Sequence, residues 1–287
     1  MSKGEQRISD TQGRFAQPVR NGNPLNDASW TSGRILLSNK RVILAGGSGK
    51  RTLPLDQVTN IGGRFDVNQT IASVSGYTSL ELDDDVILIA TDQPDQFERD
   101  LFSALLNQTI VLLRHPAVKG GVVQDTDWEK ARIKLTEESV DVATAEGEFV
   151  TFDLDDIGSL EAGERTVMDA RRRVVEVEHT VEGTSVQSYF SGPDRKTAFL
   201  QELFEQAAGR NEADLDLEER DKEVLMALYS GVSPFEIPDF TGMEVDTVEE
   251  TFERLIEVDV LDEVRKRREV TLTTRGRNMA SEAISDK

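Results

Sequence analysis

The chain carries one pattern twice, and this repeat limits the folds open to it more than any other feature. Sliding the sequence against itself by 98 positions places Trp30 on Trp128, Arg34 on Arg132, Ile35 on Ile133, Leu37 on Leu135, Val42 on Val140, Ala45 on Ala143 and Gly49 on Gly147. After a one-residue insertion the offset becomes 99, which pairs Leu55-Asp56 with Leu154-Asp155, Val58 with Ile157, Ile61 with Leu160 and Pro94-Asp95 with Pro193-Asp194. Two copies of one domain fit this register.

Each copy alternates apolar and polar residues with the period of two that half-buried antiparallel strands require. The first reads Ile35, Leu37, then Val42, Leu44, then Leu53, Leu55; the second reads Ile133, Leu135, then Val140, Val142, then Val150, Phe152, Leu154. Further strands are expected near Ser79–Leu82 and Val86–Ala90, and near Arg173–His179 and Ser185–Phe190. The period then changes to that of a helix behind Pro94 and Pro193, where a missing N–H costs little. Phe97, Leu101, Ala104 and Leu105 match Thr197, Leu200, Leu203 and Phe204 as the buried stripe. The segment Gly33–Val58 resembles the GRAM and pleckstrin-homology superfold, a bent sheet plugged by a C-terminal helix. That resemblance implies a binding platform and fixes no ligand.

The polar stretch 209–216 marks a linker. Beyond it, helices are expected over Glu218–Ser230 and Glu244–Glu257, with Ser233–Phe240 as a short second helix or turn. Val260–Val264, the basic corner Arg265-Lys266-Arg267-Arg268 and Glu269–Thr273 suit a β-wing, and Thr274–Ile284 a closing helix. The string at Leu272–Arg277 is similar to the end of many winged helix-turn-helix domains. The expected class is therefore α+β, with tandem pleckstrin-homology/GRAM-like domains at 1–118 and 119–208, a linker at 209–216 and a winged helix at 217–287. A homodimer through the winged helix is compatible with this reading.

Charge narrows the partners. The chain of 287 residues holds 54 Asp+Glu against 33 Lys+Arg, a formal charge of −21, and no cysteine. Thiolate metal sites, disulfides and cysteine nucleophiles are excluded. A dense carboxylate surface suits a salt-adapted, soluble protein. No apolar run approaches a membrane span, Ile110–Leu113 and Val86–Ala90 being the longest, so a cytoplasmic location is expected. The first 80 residues run against the trend, with ten cations against five carboxylates. Arg34, Lys40, Arg41, Lys50, Arg51 and Arg64 are the candidates for docking an acidic partner. The competing reading is that they balance neighbouring carboxylates in the fold. Alternation along Gly33–Leu44 puts Arg34 opposite Ile35 and Leu37, and so outside.

Catalysis finds no constellation. His115 and His179 fall in different expected domains and read as structural, without a metal-spaced or Ser-His-Asp pattern. Gly46-Gly47-Ser48-Gly49-Lys50 fails the P-loop spacing and reads as a hairpin turn. Asp83-Asp84-Asp85 and Asp155-Asp156 are expected by chance in so acidic a chain. The expectation is a non-enzyme without cofactor or metal. The helix at 244–257 would be repelled by DNA phosphate, since Glu244, Asp246, Glu249, Glu250, Glu253 and Glu257 oppose one cation, Arg254. No nucleic acid and no membrane insertion are expected. Phe235, Ile237 and Phe240, with Arg265, Lys266, Arg267 and Arg268, are candidates for a second partner face.

The strings "LSNKRVILAGGSGKRTLPL", "GRFDVNQ", "HPAVKGGVV", "WEKARIKL", "DLDDIGSLEAGERTV", "EVEHTVEGTSVQSYFSG" and "ALYSGVSPFEIPDFTGM", followed by "RLIEVDVLDEVRKRREVTLTTRGRNMASEA", closely resemble the CheF family of archaeal taxis proteins, over nearly the whole chain. The resemblance implies a cytosolic adaptor at the base of the archaellum motor. It would link phosphorylated response regulator CheY, CheD and CheC-type proteins to the motor components FlaCE and FlaD. The alternative is a winged-helix transcription regulator with ligand-sensing N-terminal domains, and a further rival is a membrane-surface module binding anionic lipid.

Overall fold

A computed structural model describes residues 4–47, 49–62, 76–213, 217–258 and 260–261. Contacts divide the chain into two units, Met1–Asp214 and Leu215–Lys287. The first unit holds two antiparallel sheets and two helices. Its strands are β1 (Arg7–Arg20), β2 (Thr31–Ser38), β3 (Arg41–Gly46), β4 (Gly49–Pro54), β5 (Val58–Ile61), β6 (Thr78–Leu82) and β7 (Asp85–Thr91), then helix α1 (Pro94–Leu106). The second set is β8 (Ile110–Lys119), β9 (Glu129–Leu135), β10 (Ser139–Thr144), β11 (Phe149–Asp153), β12 (Leu160–Val167), β13 (Ala170–Val181) and β14 (Thr184–Ser191), then helix α2 (Asp194–Ala213).

Strand order is the same in both sheets: β4-β3-β2-β1-β7-β6-β5 and β11-β10-β9-β8-β14-β13-β12. Each is thus two meanders joined where the first strand of a copy pairs with the last. Ile35, Leu37, Val42, Leu44 and Leu53 are at most 2% exposed, as the alternation requires. Pro94 opens α1 at its first turn, and Phe97, Leu101 and Leu105 are buried along it. Thr197, Leu200, Leu203 and Phe204 are buried on α2 in the same way. Gly46 and Gly49 are cross-strand partners in a tight hairpin, the form expected of the glycine-rich stretch.

Glycine matters most beside that hairpin. Gly13, Gly33, Gly46 and Gly49 are successive neighbours across β1 to β4. A Cβ on Gly33 would lie 2.3 Å from the Ala45 carbonyl oxygen and 3.0 Å from the Phe15 ring, so the row lets the sheet curl over Phe15.

Three expectations need correction. The 118/119 division cuts through β8, which hydrogen-bonds wholly within the second sheet, to β9 and β14. The linker stretch is helical in its first five residues, because α2 continues to Ala213. His115 and His179 lie in the same sheet rather than in different domains, on β8 and β13.

The two copies also share one continuous core, from Ile35 through Leu101 to Phe204. Arg195 donates to the Asp56 carbonyl and Lys196 to the Leu105 carbonyl, so the start of α2 is bonded to the first copy. Gln206 on α2 donates to Glu98 on α1 at 3.1 Å and to Glu202 at 3.2 Å. Burial raises both carboxyls above their ordinary range. A buried carboxyl so raised favours the folded state below its ordinary pKa and loses that contribution as pH rises through its folded one. Glu98→Gln, which keeps the acceptor for Gln206, should raise the thermal midpoint at pH 7 and leave it unchanged near pH 3. Differential scanning fluorimetry at the two pH values reads this directly.

The second unit contains α3 (Glu219–Tyr229), α4 (Ile237–Thr241) and α5 (Val245–Glu257). Val224, Ala227, Ile237, Val248 and Leu255 form its core. Gly242 adopts φ +76° and ends α4 in a left-handed cap. The expected wing and closing helix, with Arg265, Lys266, Arg267 and Arg268, lie outside the described residues, as does Arg64.

Candidate functional site: two barrel mouths and a helical face

The cations of the first copy do not form one patch. Arg34 and Lys50 share an outward row through Ala45. Arg51 sits one position on, in the row of Leu44 and Ile35, and faces inward. Lys40 and Arg41 stand at the other end of the β2–β3 hairpin.

Three of these cations are bound to carboxylates. Arg34 is exposed as expected, yet it grips Asp10 through Nε at 2.7 Å and Nη2 at 2.5 Å. Those bonds hold the Asp10 carboxyl below its usual range. Arg41 grips Glu5 through Nε and Nη2, both at 2.8 Å, and Ser38 adds a hydroxyl at 2.9 Å. Arg51 donates to Asp85 at 2.6 Å and to Gln17 at 2.5 Å. For Arg34, Arg41 and Arg51 the balancing of fold carboxylates describes what is seen.

Arg51, Gln17 and Asp85 mark the open end of the first barrel. The same end of the second barrel is built differently. Cross-strand register puts His115 where the first copy has Gln17, Phe152 where it has Leu53 and His179 where it has Leu82. His115 Nδ1 and His179 Nε2 meet the one hydroxyl of Ser188 at 2.7 and 3.0 Å. Ser188 donates to one ring and accepts from the other. His179 lies 4.4 Å from the Phe152 ring and 5.6 Å from His115. Burial, then the neighbouring His115, drives His179 down to about 4, with Asp156 opposing. Burial lowers His115 too. Both imidazoles are therefore neutral near pH 7. The repeat itself holds the signal for this pair, since Pro18 on Pro116 and Gly22 on Gly120 keep the offset of 98 and carry β8 into the second copy.

On the second unit the apolar candidates divide. Ile237 is fully buried, whereas Phe235 is 67% and Phe240 59% exposed. Met226 and Tyr229 are exposed on α3 as well. On α5, Asp246, Glu249, Glu250, Glu253 and Glu257 face solvent. Its one cation is turned inward, where Arg254 pairs with Asp221, a carboxylate with no exposed surface. A helix of this charge has nothing to offer a phosphate backbone. Among the described residues no group of three metal-ligating side chains occurs, and no helix is long and apolar enough to cross a membrane.

Tandem curled sheets, paired cations and an acidic helical unit define a protein of binding surfaces, with no catalytic constellation among the described residues. More particularly, the chain belongs to the CheF family: the family model described as Archaeal Chemotaxis signal transduction system protein F matches residues 7–210. The chain is 52% identical over 289 residues to Taxis protein CheF1 of Halobacterium salinarum, covering 100% of both. It is 26% identical to Taxis protein CheF2 of the same organism, covering 88% of this chain and 90% of the relative. A second family model, described only as a domain of unknown function, matches residues 216–285. Among solved structures, the C-terminal domain of an unknown protein from Leishmania infantum matches 37% of the chain at 14% identity and a TM-score of 0.27. The chain is thus an archaeal chemotaxis signal transduction protein.

Proposed function

We propose that this protein is a non-enzymatic adaptor that links the Che system to the archaellum motor. Its partners on this reading are phosphorylated CheY, CheD and CheC-type proteins on one side, and FlaCE and FlaD on the other. The observation that carries the proposal is the separation of binding features: two differently lined barrel mouths in one unit, and an acidic unit with exposed Phe235 and Phe240. The shared strand order, with a helix after each last strand, supports pleckstrin-homology/GRAM-like copies, and the three packed helices support a winged helix. The adaptor would read phosphorylation of CheY through its differential affinity for the two states. The protein would work in a salt-rich cytoplasm at the motor base. Apolar contacts would then do most of the holding, because molar salt cuts the Debye length to about 3 Å.

Affinity capture at native salt, with and without beryllofluoride, tests this reading. CheY and motor proteins should be recovered, with CheY favoured in the activated state. Recovery of DNA fragments instead would favour the regulator. The double variant Phe235→Ser, Phe240→Ser should reduce capture of at least one partner while shifting stability by no more than about 0.5 kcal/mol per exposed site. Wild-type capture by that variant would remove the helical face from the proposal.

A further inference from the structure

The mouth of the first barrel encloses a cavity of about 390 Å³. Phe15, Leu44 and Ile87 from the strands form its apolar floor, and the loop Leu25–Ser29 closes one side. Arg51 stands in the wall, already fixed by Gln17 and Asp85, so its guanidinium is held in place before anything binds. On the rim are Lys50 and Asp27, two opposite charges with no side-chain hydrogen bond or ion pair among the described residues. The repeat provides an internal comparison. In the second barrel the planar rings of His115, Phe152 and His179 stand where the first has Gln17, Leu53 and Leu82, and they stack on one another.

A site of this size, apolar below with a few placed polar groups above, has the make-up of a small-molecule site. Its charge pattern selects the ligand class. Arg51 is already balanced by Asp85, which leaves one unspent cation and one unspent carboxylate on the same rim. A mono-anion would satisfy Lys50 and face Asp27; a cation would do the reverse. We propose that the first barrel mouth binds a small zwitterion with an apolar body, of the α-amino-acid type. Its carboxylate rests on Lys50 and the Arg51 face, its ammonium on Asp27, and its side chain on Phe15, Leu44 and Ile87. This site goes beyond the adaptor reading and stands or falls separately from it.

Isothermal titration calorimetry of the full chain at native salt tests the proposal. The probes are L-leucine and L-phenylalanine, with 4-methylpentanoate and 3-methylbutylamine as the leucine skeleton lacking the amine or the carboxylate. At least one amino acid should bind, and for leucine each half-analogue should be weaker by about ten-fold or more, the cost of losing one charged hydrogen-bonding group. Asp27→Asn should weaken the amino acid by about ten-fold and leave 4-methylpentanoate unchanged. Ser29→Trp, on an exposed loop position, should fill the mouth and abolish binding. No heat from either amino acid at about 10 mM, well above a typical millimolar-range site, overturns the proposal. So does binding that ignores the loss of either charge, or that survives Ser29→Trp in a folded protein.

Discussion

Arg254→Met should unfold residues 217–261 selectively, at a cost of about 3–5 kcal/mol, while leaving both barrels intact. The side chain of Asp221 has no exposed surface, and Arg254 is its ion-pair partner. Asp221 also accepts the Glu218 N–H at 2.7 Å, as half of the capping box that starts α3. Arg254 reaches from α5 to this point and also lies 3.7 Å from Glu218. Removing the guanidinium strands a carboxylate where water cannot reach it, which costs far more than the intact pair contributes. A small unit has about 5–15 kcal/mol in total, so the loss takes most of its stability. Hydrogen exchange followed by mass spectrometry should show protection lost over α3 and α5 and retained over β1–β14. Asp221→Leu combined with Arg254→Met should recover much of the loss, since an apolar pair of similar volume removes the stranded charge. A single variant within about 0.5 kcal/mol of the parent would mean that the pair is solvated.

The same pair explains why the acidic helix could be read from sequence while its bonding could not. Glu249, Glu250 and Glu253 are adjacent along α5 and their exposure follows from the helical period. That Arg254 is committed to Asp221 depends on a contact between two helices. The cations of the first copy repeat the lesson. Alternation placed Arg34 outside, but Asp10, Glu5 and Asp85, which hold Arg34, Arg41 and Arg51, lie 24 to 36 residues away in sequence. No local pattern encodes such pairs.

Strands were legible where one face alone is buried. β2, β3, β9 and β10 alternate cleanly because their outer positions meet water. β8 hid itself by burying both faces: Val111 and Leu113 enter the main core, while Leu112 joins an outer cluster with Val167, Val174, Trp128 and Tyr189. β1 hid for the opposite reason. Its inward positions include Thr11, Gly13 and Gln17, small or polar because the sheet curls tightly there and opens at the mouth. The cost was the histidine pair, which only β8 in its true sheet brings together.

That pair makes the second barrel acid-labile, and this is the larger of the two pH effects expected here. His179 titrates near 6.5 when unfolded and at about 4 when folded, because burial and His115 disfavour its charged form. Between those values the unfolded chain binds the additional proton, so stability falls as pH falls through that window. The full shift corresponds to about 3 kcal/mol, lost by pH 4 and unaffected above pH 7. His115 acts in the same direction, while Glu98 and Glu202 act in the opposite one at the lower end. Urea unfolding monitored by hydrogen exchange should therefore show β8, β11, β13 and β14 losing stability from pH 7 to 5 before β1–β4 do. His179→Leu, which restores the residue of the first copy, should flatten this dependence, with His115 still bonded to Ser188. An unchanged slope in that variant would locate the acid sensitivity elsewhere. A flattened one would show that two copies of one fold differ in proton linkage through three ring substitutions at a single mouth.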